Sequence, residues 1–294
     1  MKRDTSSSLA KAPSIAESRS SAALVPRVPP LGVLFASALG PQDGQLDARR
    51  ALPSRELAPF VHHYWCVHWD LRLPFLADTL PHPAARIELW EQKGDLQAHI
   101  AGVRTGRFAK RHLGVGQFFG VQFRPAAFQP FLRASMTSVT DRVLPLTRGF
   151  GVDAAAWSRK VLAERRIETK VALTEAFLRS RLPTLKPEVE RSRDLVERIA
   201  ADRTLLTVEA AASAFGTDLR TLQRRFARFV GVSPKWVIQR YRLLEATAQL
   251  RTSTPPKLVE LAATLGYADQ AHFQREFKLV IGTTPGSFRV TSRH

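Results

Sequence analysis

Cysteine and long apolar runs are the scarcest features of this sequence. Cys66 is the only cysteine among 294 residues, so an intrachain disulfide and a cysteine-based zinc finger are both excluded. No run of eighteen or more apolar residues occurs, which excludes a transmembrane helix. Lys2 and Arg3 precede polar residues rather than an apolar core, so we expect no secretory signal. These absences predict a cytoplasmic protein without a membrane partner.

Acidic residues are also in short supply. The chain has 26 Asp+Glu against 44 Lys+Arg, for a net charge of +18 and a pI near 11.1. Such a balance favours a polyanionic partner, either nucleic acid or an anionic membrane surface. The excess is spread along the chain, with 19 basic and 11 acidic residues in 51–184 and 18 and 11 in 185–294. The charge alone therefore does not locate a binding segment.

The texture of the sequence divides the chain into four segments and predicts an α+β protein. Residues 1–45 are rich in Ser, Ala, Pro and Gly, which is typical of a flexible arm. Residues 46–152 have short apolar stretches between Pro and Gly, which predicts a mostly-β domain, sandwich- or barrel-like. Residues 153–184 read as a helical linker. Residues 185–294 read as an all-α domain.

One segment of the β-rich region shows strand alternation over nine residues. In Val61–Trp69, one face carries Val61, Trp65, Val67 and Trp69, interrupted by His63, and the other face is more polar. Alternation of this kind predicts a half-buried strand. The tryptophans suggest either a ligand pocket or simple core packing. We take Tyr64, Trp65 and Trp90 as the candidate effector pocket.

The C-terminal third repeats itself with an offset of 51 residues. Leu222-Gln-Arg-Arg-Phe226, followed by Gly231 and Pro234, recurs as Phe273-Gln-Arg-Glu-Phe277 with Gly282 and Pro285, and five of thirteen aligned positions are identical. Each copy follows an Ala-rich amphipathic segment, a glycine turn and an Asp. This order predicts two helix-turn-helix units, at about 207–230 and 257–281.

Side-chain spacing separates a buried from an exposed face in each second helix. Leu219, Leu222, Phe226 and Phe229/Val230 form one apolar stripe in the first, and Phe273, Phe277 and Val280 form the other. The outward residues are rich in Arg and Gln, which pair with base edges in a major groove. The alternative is a pair of helical hairpins whose charged faces are only solvated. Two hairpins with the same spacing of outward Arg and Gln residues favour DNA binding instead. The outward residues are Arg220, Thr221, Arg224, Arg225 and Arg228, then Gln270, Ala271, Gln274, Arg275 and Lys278.

The stretch from Leu258 to Arg289 resembles the signature of AraC/XylS-type transcription regulators. Thr207–Arg251 is similar to the first helix-turn-helix of that family and its connecting helix, with Tyr241-Arg242 in the usual place. The resemblance covers about 105 residues, from Glu188 onward. Leu258 stands where Ile is usual, and Ala271 occupies a position that is often polar. The second helix is therefore expected to read fewer bases than the first.

The resemblance implies a rigid pair of helix-turn-helix units joined by a helix from about Pro234 to Leu250. Their second helices would enter successive major grooves, roughly 34 Å apart. The implied partners are a double-stranded DNA operator and RNA polymerase, and activation is the implied outcome. Phosphate contacts would come from Arg225, Arg228 and Lys278. The family's base-contacting positions fall on Arg220, Gln223 and Arg224, then on Gln270, Ala271, Gln274 and Arg275.

The front half resembles the N-terminal domain of a subgroup of AraC-type regulators whose ligands are largely unassigned. The resemblance rests on Leu57–Trp65, on Gly120–Phe128 and on Leu144-Pro-Leu with Phe150-Gly151, although Ala126 replaces a frequent glycine. It implies effector sensing by a small molecule, homodimerisation, or both. The implied fold is a cupin-like β-structure that senses the effector, over residues 46–152, followed by helices. Of these helices, residues 153–184 could supply a dimer interface.

Other chemistries find weaker support. Neighbouring His62 and His63 would lie on opposite faces of a strand and could not both bind one metal ion. The run from Gly114 to Gly120 is one residue too long for a dinucleotide fingerprint, so its glycines read as turn glycines. Cys66 reads as a buried small residue rather than a redox sensor. We therefore expect no metal and no cofactor.

Three hypotheses follow. The first is a DNA-binding transcription regulator gated by a small ligand. The second is a ligand-independent regulator whose front half only dimerises. The third is an enzyme fused to a DNA-binding tail, as in certain DNA-repair methyltransferases, but Cys66 lies between Trp65 and Val67 rather than in a Pro-Cys-His setting. The residues favour a regulator that is not an enzyme.

Overall fold

The first half of the chain forms an antiparallel sheet. The computed structural model describes residues 24–25, 33–36, 44–80 and 82–291, and within them the sheet has eight strands in the order β1-β3-β4-β7-β5-β6-β8, with β2 paired to the end of β4. The strands are β1 (Leu24–Val25), β2 (Val33–Ala36), β3 (Gly44–Ala51), β4 (Val61–Thr79), β5 (Arg86–Gln92), β6 (Asp95–Ala101), β7 (Phe108–Phe123) and β8 (Val143–Pro145).

Parts of the segment predicted to be a flexible arm belong to the sheet. Strands β1 and β2 and residues 44–45 of β3 lie within the segment 1–45, and β2 and β3 both pair with β4. Pairing of this kind uses backbone hydrogen bonds between distant segments, which the local composition does not report. The rest of the predicted arm lies outside the described residues.

The sheet buries side chains on both faces, so the expectation of a half-buried strand is wrong. Tyr64 and Cys66 point from β4 into the main core, with Phe119 of β7. Trp69 and Phe118 pack in a separate aromatic cluster on the second face. Val61 also lies in the main core, although alternation would place it on the same face as Trp69. The reason is that the pairing of β4 with β7 shifts register between Val61 and His63.

Two glycines in β7 make room for tryptophan rings on that second face. A Cβ on Gly120 would lie 2.4 Å from the Trp65 ring, and a Cβ on Gly116 would lie 2.3 Å from the Trp69 ring. Both glycines are in the middle of a strand. Their interpretation as turn glycines is therefore wrong, because they serve close packing of an indole against the backbone.

Helices cover the main-core face of the sheet. Within residues 153–184, the side chains of Trp157, Val161 and Phe177 are buried in the main core. The apolar side of residues 153–184 is thus used within the chain, which leaves mostly polar surface for a second copy. The helices are α1 (Gln129–Leu132), a 3-10 turn (Met136–Val139), α2 (Thr147–Phe150), α3 (Ala154–Ala163) and α4 (Ile167–Arg179).

The rest of the chain is helical, in agreement with the sequence. Its two apolar clusters each enclose one helix-turn-helix unit. No helix among the described residues combines the length and apolarity needed to cross a bilayer. The helices are α5 (Pro187–Ala201), α6 (Val208–Ala214), α7 (Leu219–Phe229), α8 (Pro234–Leu250), α9 (Leu258–Thr264), α10 (Gln270–Ile281) and α11 (Pro285–Thr291).

The sheet and the helical region contact each other directly. Val103 and Ala126 are buried in the cluster around α7, and Leu80 is buried in the cluster around α10. Arg124 pairs with Glu197 of α5 at 2.7 Å between Nη1 and Oε1. Arg240 of α8 donates from Nη2 to a backbone carbonyl of the β6–β7 connection at 2.6 Å. Each half therefore contributes side chains to the packing of the other.

Candidate nucleic-acid interface

The first helix-turn-helix unit consists of α6 and α7. Thr207 begins α6 by accepting a hydrogen bond from the Ala210 amide at 3.0 Å, and Asp218 begins α7 by accepting one from the Thr221 amide at 2.8 Å. The turn between the helices contains Gly216, with φ of 56°. This left-handed conformation favours glycine. The predicted cap and turn are therefore present.

The exposed side of α7 carries four arginines. Leu222, Phe226 and Phe229 are buried as predicted, but Leu219 is 41% exposed because the buried stripe begins one turn later. Among the described residues, none of the four arginines forms an ion pair with a carboxylate. Arg220, Gln223, Arg224 and Arg228 are exposed, and Thr221 and Arg225 are half-buried.

The second unit repeats this geometry with α9 and α10. Asp269 begins α10 by accepting a hydrogen bond from the His272 amide at 2.7 Å, and the turn contains Gly266 with φ of 71°. Phe273 and Phe277 are fully buried, whereas Val280, predicted to be buried, is only half-buried. Ile281 takes over as the buried residue of the last turn.

The exposed side of α10 carries less positive charge than that of α7. Ala271, Arg275 and Lys278 are exposed, and Gln270 and Gln274 are half-buried. Where α7 has Arg225, α10 has Glu276. The Tyr267 hydroxyl donates to Oε1 of Glu276 at 3.1 Å, and Gln239 of α8 donates to Oε2 at 3.4 Å. These bonds hold the carboxylate against the protein.

Helix α8 contacts both units. Arg242 donates from Nη2 to the backbone carbonyl of Leu206, which precedes α6, and its guanidinium lies 5.6 Å from the ring centroid of Tyr267 in the second unit. Burial lowers the pKa of Arg242. A half-buried cation with a partner in each unit restricts their relative rotation.

Residues from the sheet half also contact the C-terminal ends of α7 and α10. Thr140 donates from Oγ1 to the carbonyl of Gly231 at 2.6 Å, and Ser135 donates to the carbonyl of Ala227 at 3.1 Å. Arg107 donates from Nη1 to the carbonyl of Ile281 at 2.6 Å. Gly231 is one of the two glycines of the sequence repeat, and the other directly follows Ile281. The C-terminal end of each sequence repeat therefore contacts the sheet half.

The candidate effector residues lie on different faces of the sheet. Trp65 and Trp90 line a cavity of about 220 Å³ on the second face. Tyr64 points the other way and is fully buried in the main core, where its hydroxyl faces Glu175 at 3.5 Å. Its assignment to the pocket is therefore wrong, because neighbouring strand residues point to opposite faces.

The histidines of β4 do not have the predicted geometry. The Nδ1 atoms of His62 and His63 lie 2.7 Å apart, because the register of β4 shifts at this point and brings the two rings together. Burial, followed by the nearby Arg50, lowers the pKa of His63. No group of three or more His, Cys, Asp or Glu within the described part of the chain has the geometry of a metal site.

Cys66 is buried, as the sequence suggested. Burial raises the pKa of its thiol to about 11. The nucleophilic thiolate is therefore scarce at neutral pH.

Four ionisable residues that line the cavity were not assigned to it from the sequence. Arg86 and Glu88 lie on β5, and Lys110 and His112 lie on β7. The sequence held one sign of this arrangement. Phe108, Lys110 and His112 are spaced by two residues and therefore share one face of a strand with an aromatic ring. A spacing of two residues shows which side chains share a face, but not whether that face is exposed to solvent or lines a cavity.

Comparison with known proteins identifies two regions of this chain. A family described as a helix-turn-helix domain matches residues 211–291, which include α7 and α10. The C-terminal region is an AraC-type helix-turn-helix domain. The family described as a domain of unknown function (DUF6597) matches residues 49–145, within the sheet half. The resemblance found in the sequence is confirmed.

The curated relatives of this AraC-type domain are named as transcriptional activators. The chain is 29% identical over 159 residues to the transcriptional activator NphR of a Rhodococcus species, covering 51% of this chain and 43% of that protein. It is 35% identical over 81 residues to the HTH-type transcriptional activator RhaS of Escherichia fergusonii, covering 28% and 29%. The matches thus span less than half the length of these relatives.

A solved structure is also similar to the AraC-type domain. It is that of a transcriptional regulator (AraC-type DNA-binding domain-containing proteins) from Chromobacterium violaceum, at 22% identity and a TM-score of 0.32. The likeness covers 35% of this chain and 91% of the other.

Proposed function

We propose that this protein is a DNA-binding transcription regulator whose helices α7 and α10 enter successive major grooves of one operator. The observation that carries the proposal is the exposed face of α7, where four arginines have no carboxylate partner among the described residues. Unpaired arginines on a capped helix are suited to phosphates and to guanine edges. The relatives' names, transcriptional activators, support the same class.

The exposed residues divide into two roles. Arg225, Arg228 and Lys278 would neutralise phosphates and so supply affinity that depends on salt. Thr221, in the first turn of α7, would add a hydroxyl contact there, because its backbone amide already donates to Asp218. The base-reading set is Arg220, Gln223 and Arg224, then Gln270, Ala271, Gln274 and Arg275.

The connection through α8 supports binding to adjacent grooves. Its 17 residues extend for about 25 Å at 1.5 Å per residue. Arg242 contacts both units from this helix. A rigid spacer fixes the separation of the two recognition helices, which is the requirement for reading two sites one helical turn apart.

The sheet half is proposed to sense a small effector in the cavity of Trp65 and Trp90. A concave, mainly apolar space with a few polar groups is the usual form of a small-molecule site. Activation through contact with RNA polymerase, and assembly as a homodimer, belong to the same proposal by resemblance. In a ligand-independent regulator, the alternative, this cavity would have no role.

The test is DNA binding by the full chain. Labelled duplexes from the region upstream of its own gene are titrated with wild-type protein and with Arg224→Ala, and fluorescence anisotropy gives Kd. Arg159→Ala, on the exposed side of α3, is the matched control. We expect saturable binding that is weakened by Arg224→Ala and unchanged by Arg159→Ala. Equal affinity of all three proteins for every duplex would contradict the proposal.

A further inference from the structure

The cavity on the second face of the sheet has an unusual lining. Its volume of about 220 Å³ is below the 300–1,000 Å³ typical of sites for drug-sized ligands. An occupant would therefore have on the order of ten non-hydrogen atoms. Most of the wall is apolar, and it includes the aromatic rings of Trp65, Trp90, Phe75, Phe108 and Phe118. A flat, mainly apolar molecule fits such a wall.

The only carboxylate of the lining is already neutralised. Oε1 of Glu88 lies 3.0 Å from Nε of Arg86, and its Oε2 lies 3.0 Å from Nε2 of His99 and 3.4 Å from Nη2 of Arg104. Burial would raise the pKa of Glu88, but Arg86 and the other two partners hold it at about 2. Glu88 therefore has little capacity left to bind a cationic ligand.

The remaining cation of the lining has no carboxylate of its own. The Lys110 ammonium lies 3.1 Å from the ring centroid of Trp90, and within the described residues no ion pair involves it. A cation over an indole is held by the ring alone. Burial lowers the pKa of Lys110, with Glu88 opposing this shift. The ammonium is thus half-desolvated without a counter-charge in contact.

A neutral histidine lies beside this lysine. His112 is 7% exposed, and its ring stacks on Trp90 at 17° between planes. Its Nδ1 atom is buried and has no hydrogen-bond partner in the part of the chain that the structure describes. Burial, and then Lys110, lowers the pKa of His112 to about 4. A buried ring nitrogen without a partner is costly unless a ligand or water satisfies it.

We propose that this cavity binds a small organic monoanion, an aromatic carboxylate whose flat ring packs on the tryptophans and whose carboxylate pairs with Lys110. Arg86, Arg104 and Lys110 together outnumber the single carboxylate of Glu88, so a cationic ligand is disfavoured. A neutral ligand would leave Lys110 buried beside it without a counter-charge, which is costly. The inference deepens the effector-sensing part of the proposed function and rests on it.

The position of the cavity connects such a ligand to the DNA-binding half. Trp65, Thr79 and Arg86 also line a second cavity, of about 480 Å³, whose opposite wall includes Glu197 of α5 and Tyr241 of α8. A ligand that moves Trp65 or Arg86 would therefore change the surface against which the helical region packs.

The test compares three ligands of nearly the same shape on the full chain. Phenylacetate, phenylacetamide and phenethylamine, which is protonated at pH 7, are titrated while tryptophan fluorescence and the melting temperature are recorded. We expect phenylacetate to saturate and to bind at least tenfold more tightly than the other two. Equal or tighter binding of the amide or the amine, or no saturation by phenylacetate, would overturn the proposal.

Variants of Lys110 test the same point from the protein side. Lys110→Met should weaken phenylacetate at least tenfold and abolish its advantage over phenylacetamide, whereas Lys110→Arg should retain most of it. Lys160→Met, at an exposed position of α3, is the control. Undiminished binding by Lys110→Met would contradict the inference, and so would a Lys110→Arg variant that folds, by its melting curve, but has lost the preference.

The same preparations also separate this inference from the proposed function. Each is assayed for DNA binding without ligand. If DNA binding persists while no carboxylate is bound, the ligand class is wrong and the DNA-binding function stands. If DNA binding is absent while phenylacetate binds with the expected preference, the proposed function fails and the ligand site stands.

Discussion

The two helix-turn-helix units share one framework and differ in charge. Each recognition helix begins with an Asp that caps it, at position 218 or 269, and buries a phenylalanine eight residues later, at 226 or 277. Capping and apolar burial set the position of a helix, and neither depends on the residues that face outward. The repeat therefore conserves how each helix is held.

The outward faces have diverged. Arg220, Arg224, Arg225 and Arg228 lie on α7, whereas α10 has Arg275 and Lys278 with an alanine and two glutamines. An outward carboxylate would repel phosphate, but the Tyr267 hydroxyl holds Glu276 in the second unit. The comparison teaches that both helices are capped and buried in the same way, while α7 should supply most of the attraction to DNA.

Removal of the buried phenylalanines should give the largest effect and test the shared framework. Phe226→Ala and Phe277→Ala each should lower the free energy of unfolding by about 3–5 kcal/mol, because both rings are fully buried and leave a cavity. Urea unfolding followed by circular dichroism measures the change. Leu279→Ala, at an 83% exposed position of α10, should change stability by less than about 0.5 kcal/mol. A loss below 1 kcal/mol at either phenylalanine would break the comparison.

Replacement of equivalent arginines should expose the difference between the units. Arg224→Ala and Arg275→Ala each should cost roughly 1–3 kcal/mol of operator binding and relax preference at one base pair. The larger loss is expected at Arg224, whose helix carries the stronger positive field. Anisotropy titrations against an operator and its single-base variants measure both quantities. If Arg275→Ala costs more than Arg224→Ala, the assignment of the stronger role to α7 is wrong.

Replacement of the phosphate-binding candidates should weaken binding to all sequences alike. For Arg228→Ala or Lys278→Ala, the slope of log K against log salt concentration should fall in magnitude by about one, because one fewer counterion is released. Titrations between 50 and 200 mM salt, about the range in which such slopes are resolved, provide the measurement. Lys160→Ala serves as control. An unchanged slope removes that residue from the phosphate set.

The smallest effect concerns Glu276. Tyr267→Phe removes the shorter of the two hydrogen bonds that hold this carboxylate and should cost about 0.5–1.5 kcal/mol of stability. The freed charge should also weaken DNA binding a few-fold. In the double variant Tyr267→Phe with Glu276→Gln, DNA affinity should return to the wild-type value. DNA affinity unaffected by Tyr267→Phe would show that this bond does not shield DNA from the carboxylate.

The helical region was predictable from the sequence because its signals are local. Caps such as Asp218, glycines such as Gly266 and a 3.6-residue period mark the helices, and the repeat marks the units. Only details at helix ends differ, such as the exposure of Leu219.

The sheet was less predictable because its pairings are non-local. A period of two shows which residues share a face, but not that both faces are buried or that the register shifts near His63. The assignment of Tyr64 to the pocket failed for this reason. The contacts of Thr140 with Gly231 and of Arg107 with Ile281 join residues 91 and 174 positions apart, which no local pattern reports.

Selection of operators from random duplex DNA by the full chain is the most direct test of the unequal recognition helices. Wild-type protein should enrich two conserved blocks whose centres are about 10–10.5 base pairs apart. Arg224→Ala should reduce the base preference within the better-defined block, and Arg275→Ala should reduce it within the weaker block. A single block, a reduced preference within the same block for both variants, or no enrichment would contradict two recognition helices in adjacent grooves.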